Sequence, residues 1–321
     1  MKDHEGDTPT MQRFQRGTCR LLRAPIGALL FALCCAALAP AAARAADTLR
    51  IGAKNFTEQY VLAQITADYL RARGYDVDTR AGLGSTLMRS AQENGQLDIV
   101  WEYTGTAALV YLKIPDAVKL SVQDLYRKVK QADAQRGLAW LDASRLNNTY
   151  ALGVPQEVAR RWNVKTISQL VDRLRGEPGR RHIFAMDAEF ANRPDGLRPL
   201  AATYGMAFDR RELKQMDPGL VYTALHNNQV TVGLIYTTDG RVRGFNIVAL
   251  EDDRHFFPNY NATPVVRQEV LDRHPRLATQ LNALSAALDN DAMLEMNKQV
   301  DIDGRSVRDV AADFLRTHEL P

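Results

Sequence analysis

Four tyrosines stand where apolar runs of the chain stop. Tyr103 ends "DIVWEY" before "TGT", Tyr150 follows "NNT", Tyr236 ends "VTVGLIY" before "TTDG", and Tyr260 sits in "FFPNYNATP". Each lies beside small polar residues that turn the chain. An aromatic face attracts a cation through its ring quadrupole, at roughly 0.5–2 kcal/mol per ring and more once water is excluded. Several such faces around one cleft would hold a cation without needing a carboxylate. The same residue type also caps a core with an apolar body and a wet hydroxyl. Position alone leaves both uses open for any one of the four.

Other chemistry is missing from the sequence. There is no G-x-x-x-x-G-K-[ST] phosphate loop, no H-E-x-x-H and no G-x-S-x-G elbow. His182, His226, His255, His274 and His318 are scattered without metal-ligand spacing. "GLGST" (Gly82 to Thr86) is a Gly-rich strand-to-helix turn, and a plain tight turn is a better reading than an anion cradle. Nothing argues for an enzyme, a metal or a cofactor.

The elements that would position the tyrosines are those of an α/β chain. "TLRIGA", "YDVDTR" and "LDIVWEY" read as strands, separated by a helix through "TEQYVLAQITADYLRARG" and a shorter one in "GSTLMRSAQENG". Strand–helix alternation of this kind is the sign of a layered α/β domain. The pattern restarts near Val154 and runs through "HIFAM", "VTVGLIY" and "FNIVAL", with helices between. A connector, "EDDRHFFPNYNATP", leads to one late strand, "PVVR", and a helical tail. Two lobes follow from the restart, but periodicity does not say to which lobe the late strand returns. In such folds ligands bind outside the strand ends. Trp101, inside the apolar run, reads as core, and Glu102 as a partner for backbone or a basic residue.

Residues 1–45 read as a leader rather than as fold. Arg13, Arg16, Arg20 and Arg23 precede the apolar "APIGALLFALCCAALAP", and Ala43-Arg44-Ala45 is an A-x-A cleavage pattern. Met11 is an alternative start. All three cysteines (Cys19, Cys34, Cys35) fall in this segment, so no thiol chemistry remains after cleavage behind Ala45. The remainder carries 35 basic and 35 acidic side chains, a balance that gives no support for binding nucleic acid or an anionic membrane. The expected product is exported and monomeric.

In order along the chain, "IGAKNFTEQYVLAQ", "GLGST", "LDIVWEYTGTA", "NNTYALGV", "EFANRPDGL", "IYTTDGR" and "PVVRQEVL" resemble the glycine betaine/choline/carnitine-binding proteins of osmoprotectant ABC importers. The resemblance covers essentially all of the chain after the leader. It implies a type 2 periplasmic binding protein fold with a ligand cleft between two lobes and two crossovers, the second returning the tail to lobe 1. Lobe 1 would then be 46–153 and 255–321, and lobe 2 would be 154–254. It implies a small quaternary ammonium ligand and a membrane permease as partners, in the periplasm. Carried over by motif, Tyr103, Tyr150, Tyr236 and Tyr260 would box the ammonium. Asn148 would contribute its backbone carbonyl beside it. Lys54, Thr106 and Arg193 would clamp a ligand carboxylate, since charge-assisted hydrogen bonds are the strong ones. Two rivals stay open at this point: a binder of another solute such as an amino acid, which needs a carboxylate facing the ligand, and an enzyme on the same fold.

Overall fold

The computed structural model describes residues 48–176, 181–318 and Leu320. The expected leader and its cleavage point, and part of the "GEPGRR" loop, lie outside the described residues. Two five-stranded sheets organise the rest. The first is built from β1 (Leu49–Lys54), β2 (Val77–Leu83), β3 (Ile99–Tyr103), β4 (Leu138–Trp140) and β10 (Ala262–Arg267), in the order β2-β1-β3-β10-β4. The second uses β5 (Tyr150–Pro155), β6 (Phe184–Met186), β7 (Leu213–Gln215), β8 (Val232–Tyr236) and β9 (Ile247–Ala249), in the order β7-β6-β8-β5-β9.

Burial explains the strand sequences. β3 is buried along its whole length, which is why it reads as a continuous apolar run and not as an alternation. β2 is an edge strand and mostly exposed, which is why polar residues fill it. Trp101 is core, as its place in the apolar run predicts, and its indole N–H donates to Thr66 Oγ1 at 2.9 Å.

The late strand does return to the first sheet. β10 lies antiparallel between β3 and β4. In the second sheet β5 does the same between β8 and β9. Each of these antiparallel strands is the first one laid down after the chain has changed sheets. The two crossing segments also pair with each other: Asn148 N donates to Tyr260 O at 3.2 Å, and Ala262 N to Leu146 O at 2.9 Å.

Two expectations shift. The break anticipated between Gly153 and Val154 would cut β5, which pairs as one strand inside the second sheet; the chain changes sheets ahead of Tyr150. In the returning segment Phe257 bonds Asp252 through its N–H and packs on the cores of both sheets. The other shift concerns "TGT". It is not a loop: Thr104–Thr106 are helical and continue into a π-turn over Ala107–Tyr111. Gly105 serves close packing, since a Cβ there would come within 2.7 Å of the Tyr260 ring and 2.8 Å of Asn259 O.

Candidate functional site

Register decides where the tyrosines point. Tyr150, which opens β5, pairs with Tyr236, the last residue of β8. Tyr103, the last residue of β3, pairs with Ala262 of β10, two residues after Tyr260. The two sheets therefore present their tyrosine-bearing ends to each other across the crossing segments. Tyr150 packs against the cores of both sheets. Its ring centroid lies 5.3 Å from Tyr236 and 5.2 Å from Tyr260, the latter edge-on at 90°.

One cavity of about 40 Å³ collects these groups. Of the eight residues the sequence puts forward, Lys54, Tyr103, Thr106, Asn148, Tyr150, Tyr236 and Tyr260 line it, together with Asn55, Phe56, Ser85, Asp187 and Glu189. Arg193 does not line it. Its Nη1 donates to the Tyr150 hydroxyl at 3.0 Å, and its Nε bonds Asp195 at 2.9 Å. Burial alone would lower its pKa, but the neighbouring Tyr150 and Asp195 raise it overall, so it stays cationic behind the ring.

Lys54 is also engaged. Its Nζ donates to Glu102 Oε1 at 2.6 Å, both side chains being buried, and stands 5.1 Å from the Tyr103 ring centroid. Glu102 takes two further bonds, from Tyr103 N at 2.8 Å and the Tyr111 hydroxyl at 3.0 Å. It therefore serves a basic residue and backbone, as expected, and is absent from the cavity lining.

Three groups escape sequence reasoning. Phe56 lies 5.1 Å from Tyr236 and 6.2 Å from Tyr103, so it bridges tyrosines of the two sheets. Asp187 and Glu189 bring carboxylates to the cavity. Burial pushes the Asp187 carboxyl up, against the bond it accepts from Phe190 N. Burial acts on Glu189 in the same sense, but Lys54 and the bond from Ser85 outweigh it and hold that carboxyl below its ordinary range. Ser85 N, at the head of the Ser85–Glu93 helix, donates to Glu189 Oε2 at 3.0 Å. "GLGST" thus makes its tight turn, with Gly82 at φ +80°, and also offers a helix N-terminus to an anion from the second sheet. Phe56 and Glu189 lie inside the quoted blocks "IGAKNFTEQYVLAQ" and "EFANRPDGL", and Asp187 stands two residues ahead of the second, so the motifs marked the neighbourhood without the role.

No group of three or more potential metal ligands occurs among the described residues, and no helix among them is long and apolar enough to cross a membrane. The family model for the substrate binding domain of ABC-type glycine betaine transport systems matches residues 47–317. A glycine-betaine-binding protein of Pseudomonas aeruginosa is 52% identical over 292 residues, covering 90% of this chain and 93% of that one. The carnitine transport binding protein OpuCC of Listeria monocytogenes is 32% identical over 274 residues, covering 84% and 86%. The crystal structure of a glycine betaine/carnitine/choline ABC transporter protein superposes with a TM-score of 0.65 at 28% identity, over 84% of this chain and 98% of that one. These relatives are binding components and not enzymes, and the two sheets are the two lobes of a type 2 periplasmic binding protein. The chain belongs to the substrate-binding proteins of ABC-type glycine betaine importers.

Proposed function

We propose that this protein captures glycine betaine, or a compact relative such as choline, proline betaine or carnitine, in the tyrosine-lined cavity and delivers it to the permease of its importer. One observation carries the reading: tyrosines from both lobes line a single cavity. A quaternary ammonium has no N–H to donate, so its recognition falls to π faces and shape. The small cavity favours a compact ligand, admitted as the lobes part and enclosed as they close about the crossing segments. Tyr103, Tyr150, Tyr236 and Tyr260 are the cage, with Phe56 added to it. Lys54 and Thr106 are the donors for a carboxylate. Arg193 acts on the ligand through Tyr150, whose hydroxyl it holds. The protein works after export, cleaved behind Ala45, as a monomer.

Asp187 and Glu189 favour a second reading. A carboxylate in the lining suits a ligand with N–H donors, such as an amino acid. Calorimetry with glycine betaine, proline betaine, carnitine, choline, glycine and proline separates the two. Binding confined to quaternary amines supports the first reading, and binding of glycine or proline alone overturns it.

A further inference from the structure

Glu58 is a carboxylate that the cage chemistry does not use. It lies in the first turn of the Thr57–Arg71 helix and is only 2% exposed, yet it touches three separate parts of the molecule. Its Oε1 accepts from the Tyr103 hydroxyl at 2.6 Å and from Asn148 Nδ2 at 3.0 Å. Its Oε2 accepts from Thr238 Oγ1 at 2.6 Å. Tyr103 belongs to the first lobe, Asn148 to a crossing segment and Thr238 to the turn that follows β8. Gln59, the next residue, donates from Nε2 to the same Tyr103 oxygen at 3.0 Å. With one donor, Gln59, and one acceptor, Glu58, assigned around it, the Tyr103 hydroxyl has a fixed direction, and so has its ring.

The consequence for Asn148 is chemical. A carboxylate oxygen that already accepts from Tyr103 must meet the amide NH₂ of Asn148 and not its carbonyl. The amide is therefore oriented, and its Oδ1 is left buried with no hydrogen-bond partner. An unmet acceptor is costly in a buried setting. Asn148 lines the cavity. The methyl groups of a trimethylammonium carry its positive charge, and the hydroxyl of a choline-type ligand donates. Either would meet an oxygen better than an amide NH₂ would.

We infer that Glu58 is a positioning residue for ligand capture: it sets the Tyr103 ring and presents the Asn148 side-chain oxygen as the cavity's acceptor, and it ties both to Thr238 of the second lobe. The inference rests on the proposed cage reading for its ligand, but not for its internal connections.

The test uses Glu58→Gln, Tyr103→Phe, Asn148→Ala and Thr238→Val, with glycine betaine and choline as probes. Glutamine keeps the shape but cannot accept from all three donors. Glu58→Gln is expected to weaken whichever probe binds about 10-fold, mostly through faster release, while the ligand-free chain at pH 7 melts within a few degrees of the parent. In a Tyr103→Phe, Asn148→Ala background the same substitution should cost less than 3-fold, because the groups it positions are gone. A purely structural role would instead lower the melting temperature and leave the losses additive, which overturns the inference. Hydrogen exchange of the ligand-free chain gives a readout that needs no ligand: Glu58→Gln and Thr238→Val should each speed exchange at 147–149 and 237–239 and spare the strand interiors. A parent that binds neither probe would remove the cage reading alone. Unchanged exchange at both segments would remove Glu58 as their link.

Discussion

Tyr103 and Tyr236 end corresponding strands of the two lobes, β3 and β8, each beside the antiparallel strand that enters from the other lobe. Their partners differ. Opposite Tyr236 stands another tyrosine, Tyr150, whereas opposite Tyr103 stands Ala262, and the aromatic comes two residues earlier as Tyr260. The hydroxyls are also held by opposite charges. In the first lobe the Tyr103 hydroxyl donates to Glu58; across the cleft the Tyr150 hydroxyl accepts from Arg193. Tyr236 is steadied through its backbone, since its N–H donates to the Tyr222 hydroxyl at 2.8 Å. Tyr222 is a buried residue of the Pro218–His226 helix. One topological device, used twice, supplies the rings, and local side chains then fix each ring differently. Substitutions should therefore have unequal effects on the two sides.

The largest effect is expected at Tyr150, which meets Phe190, Tyr236, Phe257 and Tyr260. Tyr150→Ala should weaken glycine betaine and choline alike by about 10–100-fold, the worth of a desolvated cation–π wall with the packing of its neighbours. Calorimetry reads it, and an unaltered affinity would return Tyr150 to the role of core cap.

Gly105→Ala comes next. The added methyl meets the Tyr260 ring and the Asn259 carbonyl below 3 Å, and overpacking of this kind costs about 1–3 kcal/mol. The variant should melt several degrees lower and lose affinity. A variant as stable and tight-binding as the parent would show that Tyr260 shifts freely and is no fixed wall.

Arg193→Ala sharpens the comparison. Standing behind Tyr150, the guanidinium should matter equally to a ligand with a carboxylate and one without, at about 3–10-fold for each, the net worth of one ordinary hydrogen bond, since it acts on the ligand only through the ring. A loss confined to glycine betaine would restore Arg193 to the carboxylate clamp that the resemblance implies.

The smallest effect concerns pH. Burial raises the Glu58 carboxyl above its ordinary 4.5, although Thr238, Tyr103 and Asn148 oppose the shift. A raised folded-state pKa means that the folded chain holds its proton longer than the unfolded one. Stability from this group is complete below 4.5 and is lost as pH rises through the folded value. The parent should accordingly lose melting temperature relative to Glu58→Gln as pH climbs from 4.5 toward neutrality. A constant gap would place Glu58 in the same state throughout.

Much of this arrangement was legible in the residues. Strands such as "DIVWEY" advertise burial by unbroken apolar runs, and tyrosines at their ends advertise a boundary between core and cleft. What stayed hidden depends on pairs far apart in sequence. Glu58 looks like an ordinary first-turn acid of an amphipathic helix, and only Thr238, 180 residues on, reveals it as a junction. Glu189 looks like a surface acid until Ser85, 104 residues earlier, meets it. β7, three residues long, is too short to show a period. Lys54 and Arg193 were legible as cations, but not as cations already paired.

The central claim is that aromatic walls from both lobes select a positive charge. Titration with glycine betaine and with 3,3-dimethylbutanoate, which replaces the nitrogen by carbon and keeps the shape and the carboxylate, tests it most directly. The account predicts that glycine betaine binds and that the uncharged-headgroup analogue binds at least about 10-fold more weakly, as expected when several cation–π contacts are removed. Equal affinities would contradict it, because the cavity would then be reading shape and carboxylate alone.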